Sequence, residues 1–218
     1  MTLSLFRSEA GPPVVVEVWG DGALFTRPEF RVERLTYSVI TPTAAVGVLE
    51  SIFWKPEFRW VPVAIEVLEP IRQFTLRRNE THDLPTMAGA LAGERVDTVS
   101  NRDQRHAVCL RDVRYRIHAH VEPAPHATTT EAGYREQFRR RVARGACFSQ
   151  PYLGTKEFQS KFGEASTRPA IPDDEDLGMM LHRIHRNPLR FDWFHARLDR
   201  GVLHVPPHGV RVDTPGVA

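Results

Sequence analysis

The hydrophobic positions of this chain change period along its length, and the changes mark its elements. Residues 14–20, VVVEVWG, are a short β-branched run closed by glycine, the pattern of a buried first strand. GDGALFTRPEF after it reads as a turn. In TPTAAVGVLESIFW the period becomes helical. Thr41 is placed to cap, and Pro42 takes the first helical position, where its missing N–H costs nothing. Ala45, Val48, Leu49, Ile52 and Phe53 then fall on one face, with Pro56 marking the exit. FRWVPVAIEVLEPIRQFTLRR mixes alternation, β-branched residues and prolines, which predicts one long strand or two short ones.

Residues 79–105 carry Pro, Gly, Asp, Asn and Ser with little apolar periodicity, and predict a long polar connection. Alternation returns in VCLRDVRYRIHAHVE, another strand, and EAGYREQFRRRVARG predicts a second helix stopped by Gly145. From Ala146 onward, KEFQSKF, MMLHRIH, LRFDWFHARL and VLHV are short candidate strands separated by Pro, Asp and Asn. Strand, helix, two or more strands, helix, strand is an α+β order. It predicts a ferredoxin-like (RNA-recognition-motif-like) domain over residues 1–145 and a small C-terminal antiparallel β-sheet over 146–218.

Composition narrows the class. With 41% hydrophobic and 26% charged residues, 218 residues can bury a substantial core without staples. The net charge of +2 means that a polyanionic partner must be held by a local patch. Arginine supplies most of the positive charge, which suits RNA phosphates and equally suits a GC-rich genome. Cys109 and Cys147 stand far apart with no CxxC, so neither a disulfide framework nor a structural zinc is implied, and a reducing cytoplasm fits. Nowhere do about 18 apolar residues run together, so no membrane span is expected.

The candidate chemistry lies in two basic stretches. In RYRIHAHVE the alternation turns Tyr115, Ile117, Ala119 and Val121 to a core and leaves Arg114, Arg116, His118 and His120 side by side on the other face. That row reads as a solvated sheet face, a phosphate-binding rail, or a histidine pair for proton transfer. A zinc site lacks a third ligand of fitting spacing. In the second helix Arg135, Arg139, Arg140, Arg141 and Arg144 outnumber Glu131 and Glu136, and Arg140 and Arg144 share a face. A solvated amphipathic helix with Phe138 and Val142 inward and a phosphate-binding helix both fit. Tyr134 either stacks on a base or caps the core. Trp54 and Trp60 read as packing, and His182 and His185 would form a ligand pair only on a helix.

VWGDGALFTRPEFRVERLTYSVITPTAAVGVLESIFWKP, PIRQFTLRRNE, SNRDQRHAVCLRDVRYRIHAHVE, FRRRVARGACFSQPYLGTKEF and DLGMML resemble, in that order, the type I-C form of the fifth CRISPR-associated (Cas) protein family, across residues 14–181. The resemblance implies a subunit of the Cascade surveillance complex that holds the 5′ handle of the CRISPR RNA and contacts the large subunit and a backbone subunit, meeting target DNA only indirectly. It also implies metal-independent and cofactor-free cutting of the precursor RNA within each repeat, by attack of the neighbouring 2′-hydroxyl. The family's cutting residues are a tyrosine in the first helix and a Lys-His pair just before the second. They fall here on Phe53, Gly133 and Tyr134, and all three depart from the pattern. Two versions follow: a handle-holding subunit that has lost the cut, or a nuclease with a relocated set drawn from His118, His120 and Tyr134. A stand-alone RNA-binding module is a third. Arg27, Arg34, Arg77 and Arg78 lie in the shared phrases and, with Arg114, Arg116, Arg139, Arg140, Arg141 and Arg144, are expected to contact RNA. Lys55 either joins them or lays its stem over the helix exit.

Overall fold

The computed structural model describes residues 11–30, 32–81, 85–95 and 97–211. Among them the elements run β1 (Val14–Ala23), β2 (Arg34–Leu35), α1 (Pro42–Ile52), β3 (Phe58–Val67), β4 (Gln73–Thr81), α2 (Met87–Leu91) and β5 (Arg102–Pro123), followed by α3 (Glu131–Ala143), β6 (Lys161–Gly163), β7 (Glu175–Arg186), β8 (Leu189–Asp199), β9 (Val202–His204) and β10 (Val210–Arg211). The fold is mostly antiparallel sheet, curled into a half-barrel.

β5 is its spine. The second half of β5 lies between β1 and β3, antiparallel to both, and its first half pairs with β4 and, in parallel, with β2. Asp112, at φ 52°, sits between the β4-paired and β3-paired stretches in the left-handed region that a non-glycine residue rarely occupies. The strands run in the order β10-β8-β9-β3-β5-β1-β6, with β7 on the free side of β8.

The helices form where local chemistry asks for them. Thr41 Oγ1 accepts from the Ala44 N–H at 3.2 Å and Pro42 starts α1, as the sequence predicts. Thr130 does the same for the Gly133 N–H of α3. Glu131 in its first turn and Arg140 and Arg141 in its last complement the helix dipole, and Gly145 turns the chain out at φ 62°. Val48, Leu49 and Ile52 of α1 and Tyr134 and Phe138 of α3 share one core with Val16 and Val18 of β1 and Tyr115, Ile117 and Ala119 of β5. The helices therefore cover one sheet face, and the polar positions of β5 point to the other.

Three expectations change. β1 continues to Ala23 through the segment that reads as a turn, because Gly22 admits the Phe158 ring at the place where a Cβ would stand, 2.6 Å away. The polar connection shrinks to residues 82–101, since β4 runs on to Thr81 and β5 starts at Arg102, pairing Asn79 with Gln104 and Thr81 with Arg102. The strands after residue 146 do not form a sheet of their own: β6 adds to β1 and β9 to β3, so the β7–β8 hairpin continues the main sheet.

Candidate nucleic-acid interface

The row on β5 meets two carboxylates brought in by its neighbours. Glu17 of β1 stands opposite Arg116 in register, and so does Glu66 of β3 from the other side. Arg114 donates to Glu17 Oε1 at 2.6 Å, Arg116 donates to Glu66 Oε2 at 2.6 Å, and His118 Nε2 lies 2.6 Å from Glu66 Oε1. Arg114 also stacks over the Trp19 ring at 4.6 Å. The chain at residues 166–168 closes over the row. Ser166 donates to Glu17 Oε2 through its N–H and its hydroxyl, and Arg116 donates to the carbonyls of Ser166 and Arg168 at 2.8 Å each.

Burial by itself would raise the Glu17 carboxyl, but the Ser166 hydrogen bonds and the Arg114 guanidinium hold it below its usual range. Glu66 behaves alike: burial is outweighed by His118 and Arg116. Arg116 is left 12% exposed, and His120, on the same face, is 2% exposed. The predicted rail is thus an internal charge network that fastens the C-terminal segment to the sheet.

On the helices' side of the sheet the neighbours are aromatic. Phe53, Phe58 and Tyr134 are stacked, with ring centroids 5.3 and 4.8 Å apart, so the chain does bring two of the three departing positions, Phe53 and Tyr134, to one place. Tyr134 is fully buried and its hydroxyl donates to Glu57; burial and that bond raise the phenol above the ordinary tyrosine value. Because His118 and His120 lie on the opposite sheet face, the three candidate catalytic residues do not meet.

Further along α3, Arg141 donates to the Ile52 carbonyl at 3.1 Å and lies over the Phe53 ring, tying the two helices together. Arg139, Arg140 and Arg144 are exposed, and the one ion pair on α3 among the described residues is Arg135 with Glu131. Gln137, Arg140, Arg141 and Arg144 line an open cleft. Two exposed aromatics that sequence reasoning missed lie close to it in the chain: Phe148, two residues past Ala146 of the cleft, 74% exposed and held by its N–H on the Ser51 carbonyl, and Trp54, next to the Phe53 that Arg141 covers, 49% exposed and expected as packing. Both follow the last periodic position of a helix, which is the available signal that neither is held on the core face. Trp60 is buried, its indole N–H on the Phe53 carbonyl at 3.0 Å.

The remaining candidates are dispersed. Arg27 lies over the Tyr37 ring, Arg34 pairs with Glu80, and Arg78 pairs with Glu157, while Arg77 is exposed on β4. His182 and His185 lie on the strand β7, bonded to the Pro206 carbonyl and to Asp192. No three His, Cys, Asp or Glu side chains among the described residues converge as a cation site, and no helix among them is long and apolar enough to cross a membrane.

Comparison with known proteins bears out the family resemblance. The family model for CRISPR-associated Cas5 proteins of the Cas5d type matches residues 14–212. A relative from Mannheimia succiniciproducens, named CRISPR pre-crRNA endoribonuclease Cas5d, is 40% identical over 88% of this chain and 94% of its own. One of the same name from Thermus thermophilus is also 40% identical, over 88% and 90%. The fold is that of a solved CRISPR-associated protein at TM-score 0.68 and 21% identity, covering 93% of this chain and 96% of the other. A chain of a CRISPR RNA-guided surveillance complex follows at TM-score 0.51 and 15% identity, covering 94% and 95%. With the match running from the first residue of β1 past the end of β10, the chain belongs to the Cas5d family of CRISPR-associated proteins.

Proposed function

We propose that this protein is the CRISPR RNA-binding subunit of a type I-C Cascade. It grips the 5′ handle of the CRISPR RNA in the cytoplasm, takes part in processing the precursor, and docks the large subunit and the first backbone subunit. Target DNA is met only through that assembly. The names of the two 40% identical relatives support processing of the precursor.

The observation that carries RNA binding is the surface of α3, where Arg139, Arg140 and Arg144 are exposed and line or flank an open cleft, with exposed Phe148 following the helix and exposed Trp54 following α1 in the chain. Arginines neutralise phosphates while aromatic faces receive unstacked bases, the pairing that single-stranded RNA needs. Arg77 adds a further phosphate contact on β4. The ferredoxin-like reading is supported by the order β3-β5-β1-β6, with α1 joining β1 to β3 and α3 joining β5 to β6. On that plan residues 1–145 supply three strands and both long helices, and the β-rich extension 146–218 supplies the fourth strand and the β7–β8 hairpin. Since the sheet face opposite the helices is closed by the Glu17 and Glu66 network, the RNA runs along the helical side.

Binding of labelled cognate repeat RNA, measured against a shuffled RNA across a salt series, tests this. Arg140→Ala with Arg144→Ala is expected to weaken binding and to lower the salt slope by about 1.4, two single-strand phosphate contacts at roughly 0.7 each. Equal affinity for repeat and shuffled RNA would sink handle recognition. A chain that purifies without protein partners or a uniform RNA would instead be a stand-alone RNA-binding module.

A further inference from the structure

Near the start of α3 a second cluster gathers around Glu57, outside both the β5 row and the arginine cleft. Glu57 Oε2 accepts from the Tyr134 hydroxyl, and Oε1 accepts from Thr128 Oγ1 at 3.0 Å. The Ala124 N–H donates to the Glu57 carbonyl at 2.7 Å, and the Ala127 N–H closes a turn on the Ala124 carbonyl at 2.9 Å. The chain is therefore clamped to Glu57 at residues 124 and 128, and the turn between them carries His126 out into solvent. The same carboxylate has Lys55 Nζ at 3.8 Å, with the Lys55 side chain 39% exposed.

Each feature suits a reacting phosphate more than a structural role. The Glu57 carboxylate is already bonded by two hydroxyls, so Lys55, at the outer edge of ion-pair distance, can turn its ammonium to a ligand without leaving a carboxylate bare. His126 is exposed, yet its backbone position is fixed from both sides. That combination fixes the backbone that carries an acid–base group while leaving the group itself open to a ligand. Tyr134 cannot serve, because it is fully buried and its hydroxyl is committed to Glu57. Trp54, half-exposed and adjacent to Lys55 in the chain, offers a base platform next to this cluster.

We propose that Lys55 and His126 are catalytic residues for cleavage of the repeat RNA, an inference that rests on the RNA-binding reading above. His126 takes the proton of the 2′-hydroxyl at the cut position. The 2′-oxygen bonds to the adjacent phosphorus, the bond from phosphorus to the 5′-oxygen breaks, that oxygen takes a proton from water, and the hydroxide so formed takes back the proton held by His126. Lys55 holds the non-bridging oxygens as negative charge builds on them. The products are a 2′,3′-cyclic phosphate and a 5′-hydroxyl, and no electron changes hands.

The test is single-turnover cleavage of labelled cognate repeat RNA in EDTA by the full chain, with affinity for the same RNA measured in parallel. His126→Ala and Lys55→Ala are each expected to slow cleavage by about 100-fold or more, with affinity unchanged. His195→Ala, an exposed histidine paired with Asp176 on the β7–β8 hairpin, is expected to cut at the wild-type rate. Wild-type cleavage by either catalytic variant overturns the inference, as does a loss of affinity that matches the loss of rate. Tight binding by the wild type without any cut overturns it too and leaves the RNA-holding role intact. Failure of the wild type to bind the repeat removes the proposed function itself.

Discussion

Arg114 and Arg116 on β5 and Arg140 and Arg144 on α3 are the same residue type, spaced to share a face of their element. Their surroundings differ in one respect. Beside β5 stand Glu17 and Glu66, supplied by strands 97 and 50 residues away in the chain from the arginines they bond. Among the described residues no ion pair reaches Arg140 or Arg144 at the end of α3, both are exposed, and an exposed phenylalanine, Phe148, follows four residues after Arg144. Whether an arginine is structural or available to a phosphate is decided by what the tertiary fold sets next to it. Spacing along the sequence does not decide it.

The sharpest way to break this contrast is to remove the carboxylate. Glu17→Ala leaves Arg114 and the Ser166 donors without their acceptor, while Arg116 keeps Glu66, and loss of one partner from such a buried network costs about 3–5 kcal/mol. Urea unfolding is expected to show a fall of that size. Arg144→Ala, on an exposed helix end, is expected to change stability by under about 0.5 kcal/mol. Equal effects at the two positions would show that the β5 network carries no special share of the fold's stability.

The next effect sharpens the other half. Phe148→Ala is expected to weaken binding of repeat RNA by about 1–3 kcal/mol, the range for one base stacked on an aromatic side chain, with unfolding unchanged because the ring is 74% exposed. An unchanged Kd would leave Phe148 without a base to stack on and confine recognition to the arginines.

How much of this was legible in the sequence follows from the range of the forces involved. Thr41, Pro42 and the apolar face of α1 act within a few residues, so cap, start and buried positions could all be read directly. The arm formed by β4 and the start of β5 was hidden because Arg102 to His106 alternate between exposed and half-exposed positions, so neither face is apolar enough to show a period of two. The pairing of Glu17 and Glu66 with the β5 row depends on sheet register, and register is a property of three strands at once. His126 gave no local signal either. Its place depends on Glu57, the residue before β3, clamping the chain at residues 124 and 128.

The smallest expected effect concerns acid. Both Glu17 and Glu66 have carboxyls held below their ordinary value of 4.5 by the groups that bond them in the folded chain. A carboxyl whose value is depressed by folding adds stability when ionised, above its unfolded value, and that stability drains away as the pH falls through the folded value. Wild-type stability is therefore expected to decline as the pH drops below about 4.5. Glu66→Gln should be less stable at neutral pH and should decline less steeply in that window, because one of the two titrating carboxylates is gone. Glu66 is the better probe of the pair, since it is only partly buried and the variant is expected to fold. Parallel acid curves for the two proteins would mean that the guanidinium of Arg116 and the imidazole of His118 do not favour the ionised form of Glu66. The β5 row would then be held by packing and by the Ser166 and Arg168 carbonyls rather than by charge.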